Sequence, residues 1–319
     1  MPRKKRLFVV CAIDADIFPQ VESGNPKSSR AKWDGSVVDS LRRHYTRVEL
    51  LPVNGGDLTG LAKLAGSGAQ LIFNLALSAT PLEPAFAACV EFAGLACTGS
   101  SMGAIALAND KIRSRMLLAA AGVRVPRFVV LAPGAAPDQI DLTPPLFVKP
   151  ALQGSSWGIS SDSKVMTREA VLDRARRIWE RFGEPAVADE FVQGREFRVG
   201  LIEGAGKRFQ FAGIGAWTFR EAARGFRIEG NHKTQRMKIV RPSELPATLR
   251  NDLIAIAQTS FEILGIRGYA SLDVRVDDLG RVTVLEVNAN PGISSDSPLW
   301  SSRGFDRIVR LIVEAALRV

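Results

Sequence analysis

With 319 residues, 46% of them hydrophobic and 24% charged, the chain is long enough for two or three compact units, and its composition excludes a disordered chain and a long coiled coil. The formal net charge of +9 would concentrate any anion near the protein. Much of that excess is local, in Arg3 to Arg6 and from Arg220 to Arg241, and no zinc-finger or RNA-recognition signature accompanies it, so nucleic acid is not the expected partner. Cys11, Cys89 and Cys97 sit among apolar neighbours without CxxC spacing, which suits small buried residues in a reducing cytoplasm, and two histidines cannot build a His-rich zinc site. The basic start and Leu7 to Ile13 have the charge order of a signal peptide, but the run stops at Asp14 and Asp16 and reads as a first strand. No apolar run approaches the roughly 18 residues needed to span a membrane, so no membrane partner is expected.

From residue 7 to about residue 100 the pattern alternates strand and helix: strand Leu7 to Ile13, helix Ser36 to Tyr45, strands Val48 to Val53 and Leu71 to Asn74, and helix Glu83 to Ala93. That order predicts an α/β fold with a parallel sheet. Phe18 to Lys32, rich in Gly, Pro and Ser, reads as a long loop. Asn109-Asp110 offers an N-cap to a helix from Lys111 to about Ala121, stopped by Gly122 and Pro126. Strands Phe128 to Leu131 and Leu146 to Lys149 follow, then helix Arg168 to Phe182, and strands Ala186 to Val192, Glu196 to Leu201 and Phe209 to Ile214. Trp217 to Lys238 is basic, lacks a clear period and reads as a loop; helix Ala247 to Leu264, a hairpin from Tyr269 to Asn288 and helix Phe305 to Leu317 complete the order.

The hairpin carries the strongest chemical signal. Two alternating apolar segments flank Asp278-Leu279-Gly280-Arg281, a short turn that sets Asp273 opposite Glu286 and Ser271 opposite Asn288. Alternation then puts Ser271, Asp273, Arg275, Glu286 and Asn288 on one face, with Leu272, Val274, Leu285 and Val287 on the other. Facing carboxylates repel, so a cation belongs there. Arg275 supplies part of it, and an all-oxygen Asp/Glu/Asn set suits Mg²⁺ (or Mn²⁺) shared with phosphate oxygens. Scattered charge on a solvated face is the simpler reading, but the polar cluster from Asn290 to Ser297 favours a site.

Two further segments are weaker. Lys149 ends a strand before Gly154-Ser155-Ser156-Trp157-Gly158, which is either a tight turn or a loop whose amides and hydroxyls cradle phosphate; it is neither a Walker loop nor a dinucleotide fingerprint. Asp189 to Glu196 alone reads as an exposed acidic turn, although such a strand end could also read an adenine edge and a ribose.

Taken in order, Phe73-Asn74-Leu75, Cys97-Thr98-Gly99-Ser100, Asn109-Asp110-Lys111, Leu118 to Pro126, Phe147 to Pro150, Gly154-Ser155-Ser156, Gly194 to Phe197 and Leu285 to Gly292 resemble the ATP-grasp superfamily, and within it the D-alanine:D-alanine ligase-like carboxylate-amine ligases. The resemblance spans about residues 70 to 320. It implies an N-terminal pre-ATP-grasp domain (1–104), a central subdomain (105–193) and a C-terminal subdomain with the metal site (194–319). Lys111 and Lys149 would bind ATP phosphates, with Ser155, Ser156 and Gly158 as the phosphate loop. Asp189, Glu190 and Val192 would line the adenine pocket, Glu196 would hold ribose, and Asp273, Glu286 and Asn288 would ligate the metal. Arg227, His232 and Lys233 would belong to a lid, Ser156 and Lys233 taking part in catalysis. The implied reaction consumes ATP, passes through an acyl phosphate and joins a small carboxylate to an amine, as amino acid or peptide; the rivals are a kinase and a non-catalytic nucleotide-binding protein, and a homodimer is left open.

Departures fall on the amino-acid side. The Gly-Gly-x-Ser-x-Glu turn expected after strand one reads Ala12-Ile13-Asp14-Ala15-Asp16. A His-Gly-rich loop is replaced by Ala76 to Thr80 leading to Glu83, the arginine expected two residues before Asp273 is Ser271, and a Ser-His-Ser has become Ser295-Asp296-Ser297. A different acid or amine is therefore expected, with Arg275 as a candidate oxyanion-stabilising group and Asp296 as a candidate partner for a substrate ammonium.

Overall fold

The computed structural model describes residues 4–54, 59–60, 62, 66–76, 82–136, 140–204, 206, 208–219, 225–226, 229, 235–239, 244–295, 297, 298–301 and 304–318. The architecture is the expected α/β one, built on three sheets. Strands β1 (Lys5–Asp14), β2 (Tyr45–Val53) and β3 (Leu71–Leu75) form a parallel sheet in the order β2-β1-β3. The helices beside it are α1 (Phe18–Glu22), α2 (Ser29–His44) and α3 (Leu82–Phe92). The stretch expected as a loop is thus partly helical. Pro19 sits in the first turn of α1, and the Ser28 hydroxyl accepts from the Ala31 amide at 3.1 Å to cap α2. Residues that looked like loop formers are helix starts.

After α4 (Met102–Asn109) and α5 (Lys111–Ala120), β4 (Phe128–Leu131), β5 (Leu146–Pro150), β6 (Lys164–Val165) and β7 (Ala186–Glu190) form an antiparallel sheet ordered β4-β7-β5-β6. Helix α6 (Arg168–Phe182) packs on it through Val171, Ala175 and Ile178. Its ends obey local rules: Thr167 caps the start and Gly183, at φ 68°, closes the left-handed turn.

The third sheet, β10-β9-β8-β11-β12, is antiparallel and comprises β8 (Arg195–Glu203), β9 (Phe209–Phe219), β10 (Gln235–Ile239), β11 (Tyr269–Val276) and β12 (Val282–Asn288). Its outer arm corrects the loop expected over Trp217 to Lys238. β9 continues to Phe219 and pairs with β10, Gln235 opposite Phe219 and Ile239 opposite Gly215. The frequent basic residues hid a strand in which polar and apolar positions alternate.

Helix α7 (Ala247–Ile263), α4 and α5 cover one face of this sheet, sharing a core with Val199, Leu201, Leu272 and Val274. The other face takes Leu299 and Trp300 from α8 (Pro298–Ser301), and α9 (Phe305–Ala316) continues that core onto α2 and β1. Among the described residues no helix is long and apolar enough to cross a membrane.

One buried group makes this framework pH-sensitive. Asp34 of α2 is 3% exposed, 3.1 Å from Arg30. Burial pushes its carboxyl up and Arg30 only partly opposes this, leaving it at about 6. Because the folded chain holds this proton more tightly, the site's contribution to stability is full below about pH 4 and declines as pH rises to about 6. Asp34→Asn is expected to raise neutral-pH stability by on the order of 2 kcal/mol, with urea midpoints of variant and wild type converging near pH 4.

Candidate active site

The β11–β12 register is the one the turn dictates: Ser271 faces Asn288 and Asp273 faces Glu286. Immediately beyond, the register shifts, so that Val274 meets Val284 and Arg275 meets Thr283. Leu285 is the extra residue. Unbroken alternation had assigned Leu285 to the apolar face; instead it lines the cleft beside Glu286.

Strand β8 supplies what the hairpin alone does not. Arg198 lies opposite Asp273, and Glu196 opposite Arg275. Arg198 donates from Nε to Asp273 at 2.6 Å and also from Nη2, while Asn288 Nδ2 approaches the same carboxylate at 3.4 Å. Burial works against the Arg198 cation, but Asp273 more than compensates and raises its pKa above the ordinary value. Arg275 donates to Glu196 at 3.0 and 3.2 Å, to the Val192 carbonyl at 2.8 Å and to the Gly225 carbonyl, with its guanidinium 5.0 Å from the Phe191 ring. Charges therefore alternate along and across β8 and β11, each acid opposite a base. The cation expected beside the facing carboxylates comes from other elements of the chain as well: Arg198 neutralises Asp273, and Lys111 Nζ lies 3.9 Å from Glu286.

On the facing side, α5 and β5 present buried cations. Asp110 caps α5 by accepting from the Ile112 and Arg113 amides, both at 3.0 Å, which directs Lys111 into the cleft, where it donates to the Gln153 carbonyl. Lys149 ends β5 at 3.1 Å from Asp189, and Arg115, one turn beyond Lys111, forks the same carboxylate and reaches the Leu285 carbonyl at 2.9 Å. Burial pushes Lys111 down to about 8 against the pull of Glu286, and lowers Lys149 with help from Arg115. Burial would raise Asp189, but Arg115 and Lys149 hold it below the usual carboxylate range. Lys111, Lys149 and Arg115 gather at one end of a cleft that also holds Glu190, Glu196 and Asp273, so the positive groups offered to an anion are local to α5 and β5.

The loop after β5 is bent for proximity. Ser155 at φ 50° and Ser156 at φ 65° are consecutive non-glycine residues in the left-handed region, a conformation costing roughly 1–3 kcal/mol each and concentrated at ligand sites. Ser156 and Trp157 line the main cleft, whereas Ser155 lines an adjoining pocket. Gly158, at φ 74°, packs beneath, where a Cβ would come within 2.8 Å of Phe182. Its amide donates to Glu229 at 2.9 Å, and Glu229 pairs with Arg181 at 2.7 Å.

The cleft encloses about 720 Å³, its open mouth included. Phe147, Phe191, Val192 and Phe226 form an apolar end, with Phe147 and Phe226 edge to face at 5.0 Å. Lys111, Lys149, Ser156, Asp189, Glu190, Val192, Glu196, Asp273, Arg275 and Glu286, all singled out in the sequence, converge on it. Asn288 and Ser155 line the adjoining pocket of about 500 Å³ with Glu83, Asn109, Arg198 and Asn290. Arg227, His232, Lys233 and Asp296 lie outside the described residues. Sequence reasoning missed Arg115 and Arg198. The signals were there: Arg115 follows Lys111 by four residues on one helix face, and Arg198 follows Glu196 by two on one strand face.

Two antiparallel sheets holding a cleft of lysines and carboxylates between them, behind a parallel-sheet domain, define an ATP-grasp fold. Residues 117–313 match the family described as D-ala D-ala ligase C-terminus, and the chain belongs to that family. It is 29% identical over 265 residues to the D-alanine--D-alanine ligase of Gluconobacter oxydans (strain 621H), covering 83% of this chain and 84% of that one. It is 32% identical over 212 residues to that of Aromatoleum aromaticum (strain DSM 19018 / LMG 30748 / EbN1), 65% and 64% covered. In three dimensions it matches the Bacillus anthracis D-alanine--D-alanine ligase complexed with ATP, with TM-score 0.77, 18% identity and 99% and 98% coverage. The VanG D-Ala:D-Ser ligase of Enterococcus faecalis matches with TM-score 0.75, 16% identity and 98% and 100% coverage.

Proposed function

We propose that the chain is an ATP-dependent ligase that activates a small carboxylate as an acyl phosphate and transfers it to an amine, releasing ADP and phosphate. The observation that carries this reading is the convergence, on one cleft, of the buried lysines of α5 and β5 with an oxygen-donor face on β11 and β12. The apolar end takes the adenine between Phe147, Val192 and Phe226, the ribose meets Glu196, and the phosphates meet Lys111, Lys149 and the loop at Ser155 and Ser156. The domain division is proposed at 1–104, 105–193 and 194–319, and a reaction drawing on ATP places the protein in the cytoplasm.

Asp273, Glu286 and Asn288 fit Mg²⁺ or Mn²⁺: they share one strand face, offer hard oxygen donors, and the Asn288 amide needs only its oxygen turned inward. A divalent ion bound there supplies charge neutralisation at the phosphate oxygens. The chain's own residues do the rest. Lys111 and Lys149 offset charge as a carboxylate oxygen attacks the γ-phosphorus and the bond to ADP breaks. The 154–158 loop, tied to Glu229 through the Gly158 amide, covers the acyl phosphate and keeps water out.

Arg275 takes a different part from the oxyanion role its sequence position suggested. Its donors are committed to Glu196, Val192 and Gly225, at the ribose and adenine end. Arg275→Met is expected to raise the KM for ATP about tenfold or more, with the smaller change in kcat; steady-state kinetics with ATP varied separates the two.

The relatives named above are D-alanine ligases, but the departures at Ala12 to Asp16, Ser271 and Ser295 to Ser297 fall where substrate selection is expected, so the acid or amine taken here differs. A screen for ADP release against L- and D-amino acids, short peptides and their N-blocked forms tests the proposal. Phosphate release that depends on both an acid and an amine supports it; phosphorylated acid accumulating with amine present marks a kinase, and ATP bound but never consumed overturns the reading.

A further inference from the structure

We infer that Arg198 is a catalytic residue, the guanidinium that stabilises the acyl oxygen during amide formation; the inference rests on the ligase reading and adds to it a group from a strand where no such role was expected. Three observations carry it. Arg198 lines the adjoining pocket while its partner Asp273 lines the nucleotide cleft, so the side chain stands on the wall between the two spaces. It is the sole cation among the described residues lining that pocket. Among the described residues the other cations of the cleft are committed on the nucleotide side: Lys111 and Lys149 to Glu286 and Asp189, Arg115 to Asp189 and Leu285, and Arg275 to Glu196 and two carbonyls.

The position expected to hold a guanidinium, two residues before Asp273, is Ser271, which is fully buried, faces Asn288 and Gly200, and has a hydroxyl with no hydrogen-bond partner. It offers no charge. One strand over and two residues along, Arg198 does, and Asp273 fixes it. The fork uses Nε and Nη2. A guanidinium carries five N–H donors, so Nη1 retains two for a ligand oxygen. The side chain is 17% exposed, with its guanidinium carbon 5.7 Å from the Trp217 ring, which keeps it partly desolvated yet reachable.

The step balances as follows. The unprotonated amine nitrogen attacks the carbonyl carbon of the acyl phosphate, and the C=O π pair moves onto oxygen, where Arg198 donates to it. The pair then returns, the carbon–oxygen bond to phosphate breaks, and phosphate leaves with that bonding pair and takes up the proton lost by nitrogen. Arg198 changes neither protonation nor covalent state; it lowers the charge cost of the tetrahedral oxyanion.

Arg198→Gln and Arg198→Lys test this in the full-length protein. Loss of one such donor typically slows turnover by roughly 10²–10³, so the Gln variant is expected to lose about that much in kcat for amide formation. Its KM for ATP and its Mn²⁺ affinity, read by electron paramagnetic resonance, should stay within about threefold. The Lys variant, which keeps a cation on Asp273, is expected to recover part of the rate and carries the test if Gln at this position prevents folding. Amide formation within threefold of wild type in the folded variants overturns the inference, as does a fall in Mn²⁺ affinity that parallels the fall in kcat, the mark of a residue that merely holds Asp273 in place. A wild-type protein that consumes no ATP with any acid and amine defeats the ligase reading and this inference together; a working ligase indifferent to Arg198 defeats this inference alone.

Discussion

Asp273→Asn is expected to abolish measurable ligation, with kcat falling by at least about 10³, and to destabilise the fold by on the order of 3–5 kcal/mol. The two losses have different origins. The side chain is 2% exposed and faces Glu286, so the substitution removes one of the two carboxylates on the proposed metal face. It also removes the anion held by the Arg198 fork, leaving a guanidinium desolvated on the wall of the cleft. Breaking one side of a buried pair is far worse than replacing both sides, because the remaining charge has lost its compensation. Mn²⁺ binding and thermal melting of the variant check the claims separately. Unchanged melting with lost Mn²⁺ binding would mean that the Arg198 contact adds nothing to stability; unchanged Mn²⁺ binding would remove Asp273 from the metal set.

The second large effect is expected at a residue that reaches no substrate. Arg115→Met should cost about 3–5 kcal/mol in unfolding free energy and weaken ATP binding by at least about tenfold. Arg115 is essentially inaccessible and ties three elements together: it extends from α5, forks Asp189 at the end of β7 and donates to the Leu285 carbonyl of β12. Met keeps much of the volume but leaves Asp189 with Lys149 as its remaining cation partner at 3.1 Å. Lys149 is then drawn toward neutralising Asp189 instead of an incoming phosphate. Urea denaturation together with ATP titration reads both consequences, and a variant of wild-type stability would show that the Leu285 and Asp189 contacts are worth little.

The sequence made the facing of the two carboxylates legible because two short-range rules agree there. A tight Asp/Gly turn sets the register and period-two alternation sets the face, and the observed pairing of Asp273 with Glu286 and Ser271 with Asn288 follows. The same rules misplaced Leu285, because a bulge is a local insertion that alternation cannot announce. The helix from Lys111 was readable from its Asp110 cap, whereas α4, just upstream, was overlooked in a run of small apolar residues with little polar contrast. Arg198 and Arg115 escaped for another reason. Each stands on an element that is ordinary when read singly, and only the pairing of β8 with β11, or the reach of the Arg115 side chain from α5 to Asp189 on β7, gives their charges a partner. Long-range neighbours decide what a buried charge does. One sequence with no turn joining the partners carries no trace of them.

The placement of α9 bears on how such a chain can be taken apart. Ile308, Val309, Ile312 and Val313 sit in the same apolar cluster as Val9, Cys11, Leu41 and Phe73, and Asp306 accepts hydrogen bonds from Ser40 and Arg43. The first sheet and α2 therefore borrow a wall from α9, whose Asp306 lies 266 positions beyond its partner Ser40. A fragment stopping near residue 104 would expose that surface to solvent, so the first sheet gains its full packing only after residues 305–316 have left the ribosome. Fusions, deletions or tags that disturb residues 305–316 would then act at a distance, loosening β1 to β3 together with the face of β8 that packs on the same cluster.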